Sequence, residues 1–168
     1  DQGLLFNSNR NRPSVAQKFS LTDNGAEVVV NVNHFKSKGS GCGAGDDDEQ
    51  FGQGRCNGTR TRAAEGLAIW LGQTYPELPV IILGDLNAYA METPITALQQ
   101  AGYTDLARLV DGVQAYSYEF NGEYGSLDYA LANQLGLDAL VDVEEWHINA
   151  DEPGAFDYND QFPFSSAN

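Results

Sequence analysis

The feature that most constrains the fold is a short apolar run at residues 79–83, PVIIL, which ends abruptly at the more polar segment GDLNA. The run is too short for a helix and far shorter than the roughly 20 apolar residues of a membrane span. Such a run is typical of a strand covered on both faces, which requires neighbouring strands and a covering layer. It therefore predicts a buried strand, around which strands and helices alternate along the chain.

Extended segments surround this run along the chain. Residues 15–21 and 26–35 flank the turn-forming sequence Asp-Asn-Gly, which predicts a β-hairpin. Further strands are predicted over residues 115–120, 126–132 and 140–148.

Two helices are predicted between the strands. Apolar residues recur at helical spacing behind Thr59, a candidate N-cap, and predict an amphipathic helix over residues 59–74. A second helix is predicted over residues 94–100, ended by Gly102. No internal repeat, linker or membrane span interrupts the sequence, which predicts one domain over residues 1–168.

The charge of the chain is distributed unevenly. The 168 residues include 24 acidic and 9 basic side chains, for a net charge of −15. Residues 1–62 carry eight basic and seven acidic side chains (+1), whereas residues 63–168 carry one basic and 17 acidic side chains (−16). This excess disfavours nucleic-acid binding by charge alone, so a polyanionic substrate requires a metal bridge. Alternatively, the acidic residues only keep a secreted or salt-exposed protein soluble.

Asp85 and Asn87 directly follow the apolar run. Side chains two residues apart on an extended chain project to the same side. A carboxylate can bind a divalent cation or hold a water, and an amide can donate to a phosphate oxygen, so the pair fits phosphate chemistry. A turn in which both side chains bond only to the backbone is the structural alternative.

Two other residues are candidates for the same chemistry. His34 ends the apolar face of the second predicted strand, where it can donate to a phosphate oxygen or protonate a leaving group, or simply be structural. Asp128 shares one side of a predicted strand with the small residues Ala130 and Ala132. If buried, its carboxylate needs a histidine, a metal or an amide donor; on an edge strand it would lie in water.

Three segments in this order, NHFKSKG, LGDLNAYAMETPI and YSYEFNGEYGSLDYAL, resemble the endonuclease/exonuclease/phosphatase superfamily. Together with EWHINADEP, the sequences of these segments are similar to those of the large secreted bacterial nucleases of that superfamily. The similarity extends over about residues 11–158. The resemblance implies a deoxyribonuclease I-like fold, in which two mainly antiparallel sheets pack face to face with helices outside. It also implies metal-dependent phosphodiester hydrolysis of DNA, in a secreted or periplasmic bacterial protein.

The resemblance also implies a role for each matching residue. His34 contacts the scissile phosphate and assists the leaving oxygen, and Asp85 positions the attacking water and binds Mg²⁺ or Mn²⁺. Asn87 binds phosphate, and Asp128 orients a second histidine. Arg12, which precedes a proline, approaches the backbone phosphates.

Two parts of the superfamily pattern have no match here: a first strand that carries a glutamate metal ligand, and a terminal Ser-Asp-His segment. The chain is therefore expected to be a partial domain, incomplete at both ends and weak or inactive alone. Its open sheet edges are expected to permit self-association.

Cys42 and Cys56 are the only cysteines and enclose a loop rich in Gly and Asp. In a secreted protein they are expected to form a disulfide. The acidic run DDDE in this loop suggests Ca²⁺ binding or, alternatively, an ordinary solvated turn, because it lacks the pattern of an EF-hand.

Two alternative functions remain at this level. The substrate of the same fold can be a phospholipid or an inositol phosphate, or the chain can be a non-catalytic, calcium-stabilised secreted module.

Overall fold

The computed structural model describes residues 5–47, 52–120, 122–147 and 150, and the structural statements below concern these residues. The strands are β1 Val15–Ser20, β2 Glu27–His34, β3 Val80–Asp85, β4 Thr104–Asp105, β5 Tyr118–Phe120, β6 Glu123–Gly125 and β7 Asp128–Ala132. The α-helices are α1 Asn57–Thr74, α2 Thr93–Gln100, α3 Leu106–Asp111 and α4 Gln134–Asp138. Among these helices, none combines the length and the apolar character that a membrane crossing requires.

The strands form a five-stranded sheet in the order β1-β2-β3-β7-β4, and β5 and β6 form a separate two-stranded ribbon. The predicted hairpin is confirmed as the antiparallel β1–β2 pair. β2 and β3 are parallel, whereas the other pairs are antiparallel. A parallel pair requires a crossover connection, which α1 and the loop before it provide.

One face of the sheet carries the core. Val29, Val80, Ile82 and Leu131 are buried on this face, because each strand alternates its side chains between the two faces. They belong to a single apolar cluster with residues of the two longer helices, namely Ala63, Ala64, Leu67, Leu71, Ile95 and Leu98. The two predicted helices are thus confirmed, and both pack on the same side of the sheet.

The opposite face of the sheet is apolar but more exposed. Val15, Phe19 and Val32 are 61%, 52% and 50% exposed. Ile81 and Leu83 of β3 are half-buried on this face. The run 79–83 is therefore a central strand, as predicted, but its cover is complete only on the helical face.

The helix α1 begins two residues before the predicted N-cap. Cys56 occupies the N-cap position, and the Thr59 hydroxyl donates to the Asp46 carboxylate over 2.6 Å instead of capping the helix. The carbonyl of Asp46 accepts a hydrogen bond from the Gly58 N–H. The loop before the helix therefore satisfies the first turn, which a local capping pattern does not reveal.

The expected disulfide is present between Cys42 and Cys56, with an S–S distance of 2.09 Å. The carboxylate of Asp47 accepts backbone hydrogen bonds from both cysteines and from Gly43, and these bonds hold its pKa below the usual range. The Asp47 carboxylate is thus bound within the loop, whereas the Asp46 carboxylate binds Thr59 and Arg62 of α1. The remaining two residues of the acidic run lie outside the described residues.

The strand predicted over residues 140–148 is wrong in its described part, because residues 140–147 form no strand. The sheet edge beside β7 is already paired with β4. Val141 is consequently 98% exposed and Trp146 77% exposed. Residue 148 lies outside the described residues.

Burial on the helical face predicts a large cost for truncating a side chain there. Ile82→Ala should lower the free energy of unfolding by about 2–5 kcal/mol, whereas Val32→Ala on the exposed face should cost less than about 1 kcal/mol. Urea denaturation of both variants measures the difference. Equal losses would contradict the description of the two faces.

The disulfide should stabilise the chain by closing a loop in the unfolded state. The cysteines are 14 residues apart, so the Cys42→Ser/Cys56→Ser variant should lose about 3 kcal/mol of unfolding free energy. Thermal unfolding with and without reductant tests this, because only the unsubstituted protein should respond to the reductant. Two alkylatable thiols in protein from an oxidising compartment would disprove the pairing.

Candidate active site

Three of the sequence-predicted residues meet at the ends of adjacent strands. The pairing register places His34 of β2 opposite Asp85 of β3, and Asp85 opposite Asp128 of β7. Directly paired residues lie on the same face of a sheet, with closely spaced side chains. The tertiary structure therefore aligns these residues in a row across the sheet.

The side chains of His34 and Asp85 are close and accessible. The His34 Nε2 atom lies 3.8 Å from the Asp85 Oδ2 atom, a distance that permits an ion pair when the imidazole is protonated but exceeds a hydrogen bond. The two side chains are 39% and 33% exposed. A ligand can therefore reach both groups from solvent.

Asn87 connects the ends of β3 and β2. Its backbone N–H donates to Asp85 Oδ1 over 2.8 Å, and its side-chain amide donates to the Phe35 carbonyl over 3.0 Å. The backbone of Asn87 has a φ of 49°, in the left-handed region that asparagine tolerates better than most residues. Asp85 and Asn87 thus make the side-chain-to-backbone hydrogen bonds that the turn alternative predicts. The second N–H of the Asn87 amide can donate to a ligand.

Gly84 permits the close approach of these two strands. Its φ is 124°, and a Cβ atom at this position would lie 2.0 Å from the carbonyl oxygen of Asn33. A side chain would therefore force β2 and β3 apart directly beside the aligned residues.

Ser117 fixes the position of Asp128, although sequence reasoning did not single it out. Its hydroxyl donates to Asp128 Oδ2 over 3.3 Å and accepts from the N–H groups of Leu127 and Asp128, both at 3.0 Å. This uses the full hydrogen-bonding capacity of a hydroxyl. The segment YSYEF contains Ser117, but no local pattern indicates that it contacts a residue 11 positions away.

The electrostatic environment disfavours the charged form of Asp128. Although Asp128 is exposed, nearby protein atoms partly desolvate its carboxyl and raise its pKa, and the Asp85 carboxylate raises the pKa further. The hydrogen bond from Ser117 and the charge of His34 act in the opposite direction. Water screens part of the repulsion between the two acids at this surface.

Arg12 lies beside the end of β2. Its backbone N–H donates to the His34 carbonyl over 3.1 Å, and the neighbouring Asn11 accepts a hydrogen bond from the Lys36 N–H. Arg12 is exposed. The structure therefore places the backbone of Arg12, the fifth predicted residue, beside His34 at the end of β2.

A buried charged cluster holds the loop behind these residues. Arg60 is fully buried and donates to the carbonyls of Lys36 and Arg55 over 3.0 and 2.7 Å. Glu92 forms ion pairs with Lys38 and Arg60. Nothing local in the sequence marks an arginine as buried, so these residues are visible in the sequence only as charges.

The oxygen atoms of the row suit a hard divalent cation. Asp85 and Asp128 face each other without a lysine or arginine paired to either among the described residues. Paired carboxylates are ligands that Mg²⁺ and Mn²⁺ prefer. The only compact group of three metal-ligating side chains in the described part is Cys42, Asp47 and Cys56, whose sulfur atoms form the disulfide. Within the described residues, His34, Asp85 and Asp128 form no compact group of three ligands, so the row supplies only part of the ligands that a divalent ion requires.

Solved structures share the fold of this chain. The catalytic domain of human Nocturnin with bound sulfate is 19% identical with a TM-score of 0.52, and covers 72% of this chain. A mannosyl-6-phosphatase from Bacteroides thetaiotaomicron (17%, TM-score 0.51) and an endonuclease/exonuclease/phosphatase protein from Bacteroides vulgatus (13%, TM-score 0.53) also cover 72%. No protein-family model and no curated protein matches the sequence significantly.

These similarities confirm the predicted mixed α/β, deoxyribonuclease I-like fold. The chain spans only 41%, 42% and 43% of the three similar structures. At these identities the likeness concerns the fold, and the roles of individual residues remain predictions.

The raised pKa of Asp128 predicts a pH-dependent gain in stability for Asp128→Asn. A carboxyl with a raised pKa binds its proton more tightly in the folded state, so its destabilising effect develops as the pH rises through the unfolded and then the folded pKa. The variant should therefore be more stable than the unsubstituted protein near neutral pH, and the difference should disappear below the ordinary pKa of about 4.

Denaturation at several pH values measures this difference. Asp138→Asn on α4, which removes the same charge from an exposed position, is the matched control. A gain for Asp128→Asn no larger than that of the control would show that the local environment of Asp128 is not responsible.

Proposed function

We propose that this chain is part of a metal-dependent phosphoester hydrolase of the endonuclease/exonuclease/phosphatase superfamily. The observation that supports this function best is the alignment of His34, Asp85 and Asp128 across three neighbouring strands. These residues match the three ordered motifs of the resemblance, and they lie together in a fold that a known phosphatase shares.

The proposed metal is Mg²⁺ or Mn²⁺, with Asp85 as its ligand in this chain and the remaining ligands elsewhere in the protein. A bound divalent ion supplies charge neutralisation at the phosphate. Ca²⁺ is proposed only as a structural ion of the disulfide loop, where the carboxylates of Asp46 and Asp47 already accept hydrogen bonds from Thr59 and Cys42.

Each residue of the row has its own proposed role in the reaction. Asp85 holds the attacking water, and the second amide hydrogen of Asn87 and the imidazole of His34 donate to the phosphate oxygens, where negative charge increases during the reaction. Asp128, positioned by Ser117, orients a histidine of the remaining domain. Arg12 reaches neighbouring phosphates from the exposed side of β2.

The proposed substrate is extracellular DNA, and the proposed location is outside the cytoplasm. The wording of the motifs supports the substrate, and the disulfide supports an oxidising compartment. The negative charge of residues 63–168 requires the metal and the basic residues near His34 to offset repulsion from the polyanion. Phospholipids and inositol phosphates are the competing substrates.

Removing either central group should abolish turnover without unfolding the protein. In the full-length protein that contains this chain, we expect His34→Gln and Asp85→Asn each to reduce DNA hydrolysis about 100-fold or more, because each removes a group that acts in the transition state. Cleavage of plasmid DNA with Mg²⁺ measures turnover, and thermal unfolding measures folding.

The surface variant Asp138→Asn is the control and should keep full activity. Normal turnover per folded molecule in either row variant would contradict the proposed roles. Hydrolysis of phospholipid vesicles or inositol phosphates in place of DNA would instead identify a competing substrate.

A further inference from the structure

The hydroxyl of Tyr129 links two segments that carry candidate catalytic residues. Tyr129 directly follows Asp128 on β7 and pairs with Gly84 of β3. Because successive residues of a strand project to opposite faces, the Tyr129 side chain lies on the helical face, away from Asp128. Its hydroxyl lies 2.8 Å from the carbonyl oxygen of Ala88 and 2.8 Å from that of Ser126. The contact with Ala88, 41 positions away in sequence, joins β7 to the chain that leaves β3.

The Ala88 carbonyl belongs to the segment Leu86-Asn87-Ala88, which we call the Asn87 turn. Leu86 and Ala88 are fully buried. The N–H of Leu86 donates to the Leu127 carbonyl over 2.8 Å, and the Ala88 carbonyl can accept from the Tyr129 hydroxyl. Strand β7 and the residue before it therefore hold the Asn87 turn on both sides of Asn87.

The Asn87 turn depends on such contacts because its central residue has an unfavourable backbone conformation. The φ of Asn87 is 49°, in the left-handed region. Residues in this region keep their conformation only where the surrounding structure holds them. The Asn87 amide donates one N–H to the Phe35 carbonyl, which leaves the second N–H for a ligand. The place of that second N–H therefore depends on how the Ala88 carbonyl is held.

The Tyr129 hydroxyl is a permanent hydrogen-bond donor. Tyr129 is only 5% exposed, and burial raises its pKa, which the charges of Asp105 and Glu92 raise further. A phenol with a raised pKa keeps its proton at neutral pH. Without the hydroxyl, the buried Ala88 carbonyl would lose this hydrogen bond, and an unsatisfied buried carbonyl is costly. The Asn87 turn would then have to move to restore a bond.

We propose that the Tyr129 hydroxyl positions the Asn87 amide against the substrate phosphate by holding the Ala88 carbonyl. This inference rests on the proposed hydrolase function and adds a positioning residue to the same site. Tyr129 lies on the face opposite to the row and does not touch the phosphate, so it acts only through the Asn87 turn.

The first test is Tyr129→Phe in the full-length protein, because this change removes the hydroxyl and keeps the ring. With Mg²⁺ and the general phosphodiester bis(p-nitrophenyl) phosphate, kcat should fall about 10- to 100-fold, since small displacements of a reacting group are costly. KM should change little, because the Asn87 amide acts mainly on charge that develops in the transition state.

Tyr103→Phe is the matched control. Tyr103 is also a buried core tyrosine, 6% exposed, but burial is the one cause that raises its pKa, and none of the described residues accepts a hydrogen bond from its hydroxyl. Its substitution removes the same group from the same core and should leave kcat unchanged. An equal loss of kcat in both variants would show that general loosening of the core is responsible, and would overturn the proposal.

A second comparison tests whether Tyr129 acts through Asn87. Asn87→Gly removes the amide and tolerates the left-handed backbone. In the Asn87→Gly protein, Tyr129→Phe should lower kcat no further, because the group that it positions is gone. A further loss as large as in the unsubstituted protein would overturn the proposal.

Amide hydrogen exchange separates this proposal from the proposed function, because it does not depend on activity. The N–H groups of Leu86 and Asn87 should exchange at least about 10-fold faster in Tyr129→Phe than in Tyr103→Phe, while exchange in α1 stays the same. Faster exchange at the Asn87 turn in a protein that hydrolyses no phosphoester would disprove the hydrolase function alone. Unchanged exchange, or normal kcat for Tyr129→Phe in an active protein, would disprove the positioning role alone.

Discussion

The pairing register of β2, β3 and β7 is the constraint on which the candidate site depends. Parallel pairing sets His34 against Asp85, and antiparallel pairing sets Asp85 against Asp128. A shift of one residue in either pair would turn a side chain to the other face of the sheet. The buried residues of the helical face oppose such a shift, because it would expose Val29, Val80 or Leu131 to solvent. Core packing and site geometry are therefore maintained by the same hydrophobic interactions.

The loop between β2 and α1 has little apolar material and is held by polar interactions instead. Arg60 donates to three loop carbonyls, and Glu92 neutralises charge beside it. Burying charges is costly unless they are paired and hydrogen-bonded, and the network largely meets that condition. The disulfide and the backbone bonds to Asp47 hold the other part of the loop. Together these interactions anchor the chain that follows His34.

The acidic side chains at the strand ends are arranged in a way that disfavours the folded state. Asp85 and Asp128 face each other across β3 and β7, and the pKa of Asp128 is raised first by partial desolvation and second by the charge of Asp85. The exposed rings of Tyr118 and Phe120 on β5 are a second unfavourable feature. Covering aromatic surface from water lowers the free energy, and these rings are left uncovered.

The sequence alone determined the elements whose signals are local. The hairpin, α1, α2 and the central strand were predictable because periodicity, turn residues and a short apolar run depend only on neighbouring positions. Motif wording identified His34, Asp85, Asn87 and Asp128 as candidates. Their convergence required the sheet order, because residues up to 94 positions apart share one edge only after the strands pair.

Other features were decided by the tertiary structure alone. The two-residue strand β4 pairs with β7, and residues 140–147, the described part of the strand predicted over 140–148, form no strand. The role of Ser117 and the burial of Arg60 likewise depend on partners distant in sequence. A local pattern reports which conformation a segment prefers, whereas pairing and burial depend on which distant segments are present to satisfy its hydrogen bonds and cover its surface.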